Sequence, residues 1–280
     1  MATRESKMKK ATIAIILMLA LTLSTVGIAG AITDGTLDGN GHPHVVLLLM
    51  EIGGEPAFRC SGTLIAPRVL LTAGHCTNDY PDEPYSGMRI FTESDVQAGI
   101  GKTNNYPYGG GKYSIEAESW AAHPLYETAP FFVHDVGVVV LKKAVKLATY
   151  GALPTVNQFD ALKDKNGNNT LFTAVGYGLQ KSFPDAASWK DVRSKTRYVA
   201  YPWLLQINTG FTGPGSMLLS NNANSGGTCF GDSGGANFFG DTNVVAGITS
   251  FGMNGTCGGT GGVFRTDRKD VQDFVKAYLR

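Results

Sequence analysis

A serine hydroxyl is a weak nucleophile near neutral pH. A serine that attacks carbon therefore needs a base, and it needs donors for the negative charge that develops on the attacked oxygen. Gly231-Asp232-Ser233-Gly234-Gly235 is the segment of this chain best suited to that task. Glycines around Ser233 let the backbone turn tightly, with N–H groups converging on one point. The same composition also makes an ordinary turn, so the base must be sought elsewhere in the chain.

Leu71-Thr72-Ala73-Gly74-His75-Cys76 supplies a base: a histidine directly after an apolar run and beside a cysteine. Most histidines are surface or satisfied core residues, and only this one of the five has such a setting. His42 and His44 form an H-x-H pair with no further metal-ligand pattern, and His123 and His134 carry no independent signal. His134-Asp135-Val136-Gly137-Val138-Val139-Val140-Leu141 supplies a third group, an aspartate at the mouth of an apolar strand. A carboxylate there is costly unless paired. A histidine that must become imidazolium is a suitable partner; an unremarkable strand-edge aspartate is the alternative.

The elements that must position these groups read as β-structure. Val45–Met50, Gly62–Leu71, Val136–Leu141, Leu171–Val175 and Val244–Ser250 are short β-prone runs, several of them apolar without alternation, as in buried strands. Turn-rich stretches such as 106–112, 164–169 and 221–227 separate them. The chain has 36 glycines, which favours a turn-rich β protein over a helical one. The one helical pattern is the last: Val271, Phe274, Val275, Tyr278 and Leu279 share a face, with Asp267 as the expected N-cap. The strand pattern breaks around Ala144–Asn157, the expected junction between two halves.

Hydrophobic residues make up 43% of the chain, enough for a substantial core, and a net charge of +1 without a clustered basic face argues against nucleic-acid binding. Arg4, Lys7, Lys9 and Lys10, then the apolar run Ile13–Leu23 and Ala29-Gly30-Ala31, read as a signal peptide over residues 1–31; an uncleaved membrane anchor is the rival reading. An even set of four cysteines in an exported chain suggests two disulfides, with three pairings open, and the lack of any C-x-x-C pair argues against zinc.

Taken together, the AGHC, Asp-Val-Gly-Val and GDSGG segments resemble the sequence blocks of the chymotrypsin–trypsin family of serine endopeptidases, in that family's order of His, Asp, Ser. Other serine hydrolases, esterases and subtilisins among them, order these residues differently. The resemblance runs over residues 32–280, with support from Cys60–Ile65, Val175–Gly178 and Ser250–Gly252. It implies an all-β fold of two six-stranded antiparallel barrels, at about 32–150 and 151–266, with a terminal helix over 267–280. It implies His75 as general base, Asp135 as its orienting group, Ser233 as nucleophile, and the Gly231 and Ser233 N–H groups as the oxyanion hole. It also implies the pairs Cys60–Cys76 and Cys229–Cys257.

The specificity pocket implied by the resemblance has Gly227 at its base, Thr228 beside it, Ser250 supporting the aspartate, and Gly252 and Gly262 as walls. Trypsin-like relatives carry aspartate at the Gly227 position, so cleavage after large apolar or aromatic residues is expected. An activation pair between an Ile32 ammonium and Asp232 is implied too, exposed if the signal is cut after Ala31. Protein or peptide substrates, proteinaceous inhibitors and a monomeric state are expected, with no metal, cofactor, nucleic acid or lasting membrane association. Departures from the family pattern are Ala236, Tyr177, Phe251, a missing third disulfide and a Gly/Tyr-rich insertion near 106–113. A catalytically silent binding protein on the same scaffold is the alternative; retention of all three catalytic positions argues against it.

Overall fold

The computed structural model describes residues 32–79, 82–127, 130, 132–165, 170–180 and 194–279. The expected signal segment lies outside these residues.

Strands β2 (Val45–Ile52), β3 (Glu55–Ala66), β4 (Val69–Thr72), β5 (Tyr85–Phe91), β6 (Ser114–Ala122) and β7 (Gly137–Leu141) close into an antiparallel barrel, in the order β2-β3-β4-β7-β6-β5. Val45 to Met50 are all buried, which explains their unbroken apolar run: one face fills the barrel and the other lies in a core continuous with the second half. The run expected as one strand over Gly62–Leu71 is instead a hairpin. Pro67 cannot donate to a ladder, and the chain reverses at Pro67-Arg68 between β3 and β4.

The second half holds β1 (Thr36–Leu37), β8 (Phe172–Gly176), β9 (Tyr198–Ala200), β10 (Leu204–Ile207), β11 (Ser216–Asn221), β12 (Ala236–Phe239), β13 (Val245–Gly252) and β14 (Gly259–Arg265), in the order β1-β9-β8-β12-β13-β14-β11-β10. β9 and β10 are successive parts of one path, interrupted around Pro202. The Phe172 N–H donates to the Pro202 carbonyl, and the Leu204 N–H to the Thr170 carbonyl, each at 2.9 Å. These bonds bring the last strand back to the chain entering β8, so the sheet curls round on itself.

The C-terminal helix spans Lys269–Lys276 and buries Val271 and Val275. Its N-cap is Arg268, not Asp267. The Asp267 carboxylate is fully buried and pairs with the fully buried Arg265 at 2.7 Å while accepting the Phe159 N–H. A longer-range partner has displaced the capping role.

A second buried ion pair fastens the N-terminal stretch to the rest. Asp38 and Arg197, each 1% exposed, meet at 2.7 Å. Burial alone would raise the Asp38 carboxyl; the hydrogen bond from His42 and the charge of Arg197 outweigh it and hold it at about 2.

Candidate active site

His75 sits in a single tight turn, Gly74–Cys76, directly after β4. A disulfide from Cys76 to Cys60 of β3 fixes that turn to the barrel. Gly74 is tightly enclosed there: a Cβ would lie 3.0 Å from the Tyr126 ring and 3.1 Å from the Val136 backbone nitrogen.

Asp135 immediately precedes β7 and is fully buried. It follows His134, held in the left-handed region at φ 52°. His134 Nε2 meets the Asp270 carboxylate of the C-terminal helix at 3.0 Å, and its ring stacks on that of His123. The Asp135 carboxylate accepts the His75 backbone N–H at 2.8 Å, meets His75 Nδ1 at 2.8 Å, and accepts the Ser250 hydroxyl of β13 at 2.5 Å. Burial alone would lower the His75 imidazole; the charge and hydrogen bond of Asp135 outweigh it and raise it.

Ser233 lies in the turn between Cys229 and β12. The Asp232 N–H donates to the Cys229 carbonyl, and the Gly235 N–H to the Asp232 carbonyl. Ser61 reaches across from the first barrel: its N–H donates to the Ser233 carbonyl at 2.7 Å and its hydroxyl to the Gly231 carbonyl at 3.0 Å. Gly231 and Gly234 have φ of 95° and 80°, and a Cβ on Gly234 would fall 2.0 Å from Thr72 Oγ1. This folding leaves the N–H groups of Gly231 and Ser233 without an acceptor among the described residues. Ser233 and His75 line one hollow of about 520 Å³. No hydrogen bond joins them in the free protein; such bonds commonly tighten only when substrate is bound.

Thr228, Ser250 and Gly252 line that hollow, with Phe251 and the Cys229–Cys257 disulfide. No charged side chain other than His75 is among its lining residues. Two of the expected pocket glycines sit differently. A Cβ on Gly262 would meet the Phe251 ring at 2.2 Å, whereas a Cβ on its neighbour Gly261 would meet Thr228 Oγ1 at 2.9 Å. Phe251 and Gly262 are paired across β13 and β14, and neither Gly261 nor Gly262 is among the residues lining the hollow. Gly227 abuts a side chain the sequence did not single out: a Cβ there would fall 2.3 Å from Asn221 Cγ. Asn221 is buried and donates to the Thr228 carbonyl at 2.8 Å while accepting the Thr33 hydroxyl at 2.6 Å.

Asp232 is fully buried and accepts the N–H groups of Gly178 at 2.7 Å and Cys229 at 2.9 Å. Burial pushes its carboxyl up to about 7 against these bonds and the charge of Arg59. Ile32 is also fully buried, beside Ala174, Tyr198 and Ala200, and Thr33 pairs with Gly227. Cys60, His75 and Cys76 cluster closely enough to suggest a metal site, but both sulfurs are consumed by the disulfide, leaving a single ligand.

The family model described as Trypsin matches residues 35–275. The chain belongs to the trypsin family. This family is one of serine-type endopeptidases, and its named relatives agree. Chymotrypsin of Phaedon cochleariae is 27% identical over 79% of this chain and 74% of its own length. Brachyurin of Leptuca pugilator is 27% identical over 78% of this chain and 84% of its own length. Serine protease grass of Drosophila melanogaster is 26% identical over 51% of this chain, but that match spans only 38% of the grass protein. Among solved structures, an HL collagenase superposes with a TM-score of 0.66 at 18% identity, over 89% of this chain and 98% of that one, a likeness of fold. The trypsin-family chain contains two disulfides, and no helix among its described residues is long and apolar enough to cross a membrane.

Proposed function

We propose that this chain is a secreted serine endopeptidase working through a covalent acyl-enzyme at Ser233. The Ser233 oxygen bonds to the scissile carbonyl carbon while His75 takes its proton. The C–N bond then breaks, and His75 gives that proton to the departing amine. Water, activated by the same imidazole, releases the acyl group. Asp135 fixes the His75 tautomer and stabilises its charged form. The Gly231 and Ser233 N–H groups hold the oxyanion, where one donor is typically worth about 2.7–4 kcal/mol of barrier. The observation that carries the reading is the unbroken run of bonds from Ser250 through Asp135 to His75, ending in the hollow that His75 and Ser233 line together.

The uncharged lining supports cleavage after large apolar or aromatic residues, with Lys and Arg not preferred. Residues 1–31 act as a signal peptide, and residues 32–280 form the protease domain, built as barrels of about 32–150 and 151–266 and a terminal helix. Two disulfides fit an oxidising compartment outside the cytosol. Its partners are protein and peptide substrates and proteinaceous inhibitors, and it acts as a monomer. An Ile32 ammonium freed by cleavage after Ala31 pairs with Asp232 and orders the oxyanion turn.

The test uses the chain beginning at Ile32. A serine-directed phosphonate labels it, and the Ser233→Ala variant stays unlabelled. Peptide profiling gives cleavage after Phe, Tyr, Leu or Met. No labelling of the disulfide-bonded protein overturns the enzymatic reading, and a profile dominated by Arg or Lys overturns the pocket reading.

A further inference from the structure

The hollow described above takes the residue that donates the attacked carbonyl. A polypeptide crossing Ser233 must also leave on the other side. There, His75 and Ser233 open into a second hollow of about 290 Å³, walled by Phe58, Arg59, Tyr85 and Phe230. It continues past Phe58, Arg59 and Gly231 into a third, of about 400 Å³, reaching Tyr106 and Pro107 of the insertion and Lys195. Neither hollow has a carboxylate among its lining residues; apart from His75, their charged side chains are Arg59 and Lys195.

Arg59 is the group common to both. It projects from β3, next to the disulfide-bonded Cys60, and is partly exposed. Its guanidinium lies 3.5 Å from where a Cβ on Gly231 would stand, so it borders the oxyanion turn itself. Every other arginine of the two barrels described here is engaged: Arg68 with Glu118, Arg89 with Glu51, Arg197 with Asp38, Arg265 with Asp267 and Asp160. Arg59 alone among them has no hydrogen bond or ion pair to any described residue. The charge of Arg59 reaches the buried Asp232 carboxyl and draws it down, but no hydrogen bond joins the two, so this half-buried guanidinium, set between aromatic walls, still offers a planar pair of donors to a carboxylate that arrives with a ligand. Lys195 stands at the far end, over the Tyr106 ring and bonded to Gln97, and adds positive potential along the same path.

We infer that Arg59 makes the leaving side of this cleft a subsite for acidic side chains, so that the chain selects substrates with Asp or Glu one or two residues beyond the bond it cuts. This rests on the protease reading above, and it concerns the half of the substrate that departs with the amine. An acidic side chain there strengthens binding of the leaving segment, and a basic one meets Arg59 as a like charge.

The test compares quenched fluorescent peptides that share Phe before the scissile bond and carry Glu, Ala or Lys at the first or second position after it. The wild-type protein is expected to favour Glu over Lys roughly tenfold in kcat/KM, the scale of a partly exposed charge pair and its like-charge opposite. The preference should shrink as salt is raised. Arg59→Ala should level the three peptides, Arg59→Lys should keep the order, and Arg59→Glu should invert it. A phenylalanine ester with a small alcohol as leaving group has nothing to place beside Arg59, so each protein's peptide rates are read relative to its own rate on that ester. Equal cleavage of Glu and Lys peptides by the wild type, or an acid preference surviving in Arg59→Ala, overturns the inference. Failure of every protein on the ester would instead refute the protease reading beneath it.

Discussion

The buried Asp232 carboxyl makes the proposed activation measurable without any substrate. Its folded value of about 7 stands above the ordinary 3.8 because burial outweighs two backbone N–H bonds and the charge of Arg59. In the unfolded chain the group ionises near 3.8, so between that pH and about 7 the folded state holds a proton that the unfolded state has lost. Stability contributed by this group is therefore complete below about pH 3.8 and is lost as pH rises to about 7. About three pKa units at 1.36 kcal/mol each amount to roughly 4 kcal/mol. An ammonium beside the carboxylate cancels that loss by favouring the charged form. Two proteins carry the comparison, both with Ser233→Ala so that neither digests itself: one begins at Ile32, the other keeps Gly30-Ala31. Urea unfolding at pH 4, 5.5 and 7 should show the longer protein falling behind by up to about 4 kcal/mol at neutral pH, with the two converging near pH 4. Equal stability of the two proteins at pH 7 would refute the Ile32–Asp232 pairing.

Two further outcomes follow from the site. Ser250→Ala removes one of the donors to the buried Asp135 carboxylate, a loss of about 1.5–3 kcal/mol for a bond to a charged group. The freed carboxylate holds the His75 proton more strongly, so the acid limb of the kcat/KM pH profile should move upward; an unmoved limb counts against Ser250 as support for Asp135. Gly227→Asp, the obvious route to Lys/Arg cleavage, drives its side chain into Asn221. It should cost about 1–3 kcal/mol of stability by overpacking and confer no basic specificity until combined with Asn221→Gly, as urea unfolding and peptide profiling would reveal.

The reactive groups were legible because their chemistry demands local residue types. Gly231 and Gly234 occupy positive φ, and that requirement is written into the pentapeptide around Ser233. Cys76 beside His75 likewise marks a turn that must be fastened. What stayed hidden depends on partners far away in sequence. Nothing near Asp267 announces the Phe159 N–H, 108 residues away, as its partner, so a capping role was the natural expectation. The break at Pro67 was within reach, since proline cannot continue a ladder, but the apolar residues on both sides masked the reversal. Gly261 and Gly262 are adjacent glycines, and only the folded structure decides which one abuts Thr228. Asn221 gave no signal at all, because its importance lies in filling the space that Gly227 leaves open. The insertion near 106–113 was visible as composition, whereas its position along the leaving side of the cleft was not.

The first strand carries a consequence for how the molecule comes into being. β1 precedes the whole first barrel in sequence, yet Thr36 pairs with Val199, and the neighbouring Asp38 is neutralised by Arg197. A chain emerging in order from ribosome or translocon can assemble the first barrel while these opening residues still have nothing to join. They wait, with an unmatched strand edge and a carboxylate that has only the nearby His42 to meet, until most of the polypeptide has followed. Completion of the fold is thereby recorded at its beginning, and only a chain that has emerged at least as far as Val199 can draw its opening strand into place.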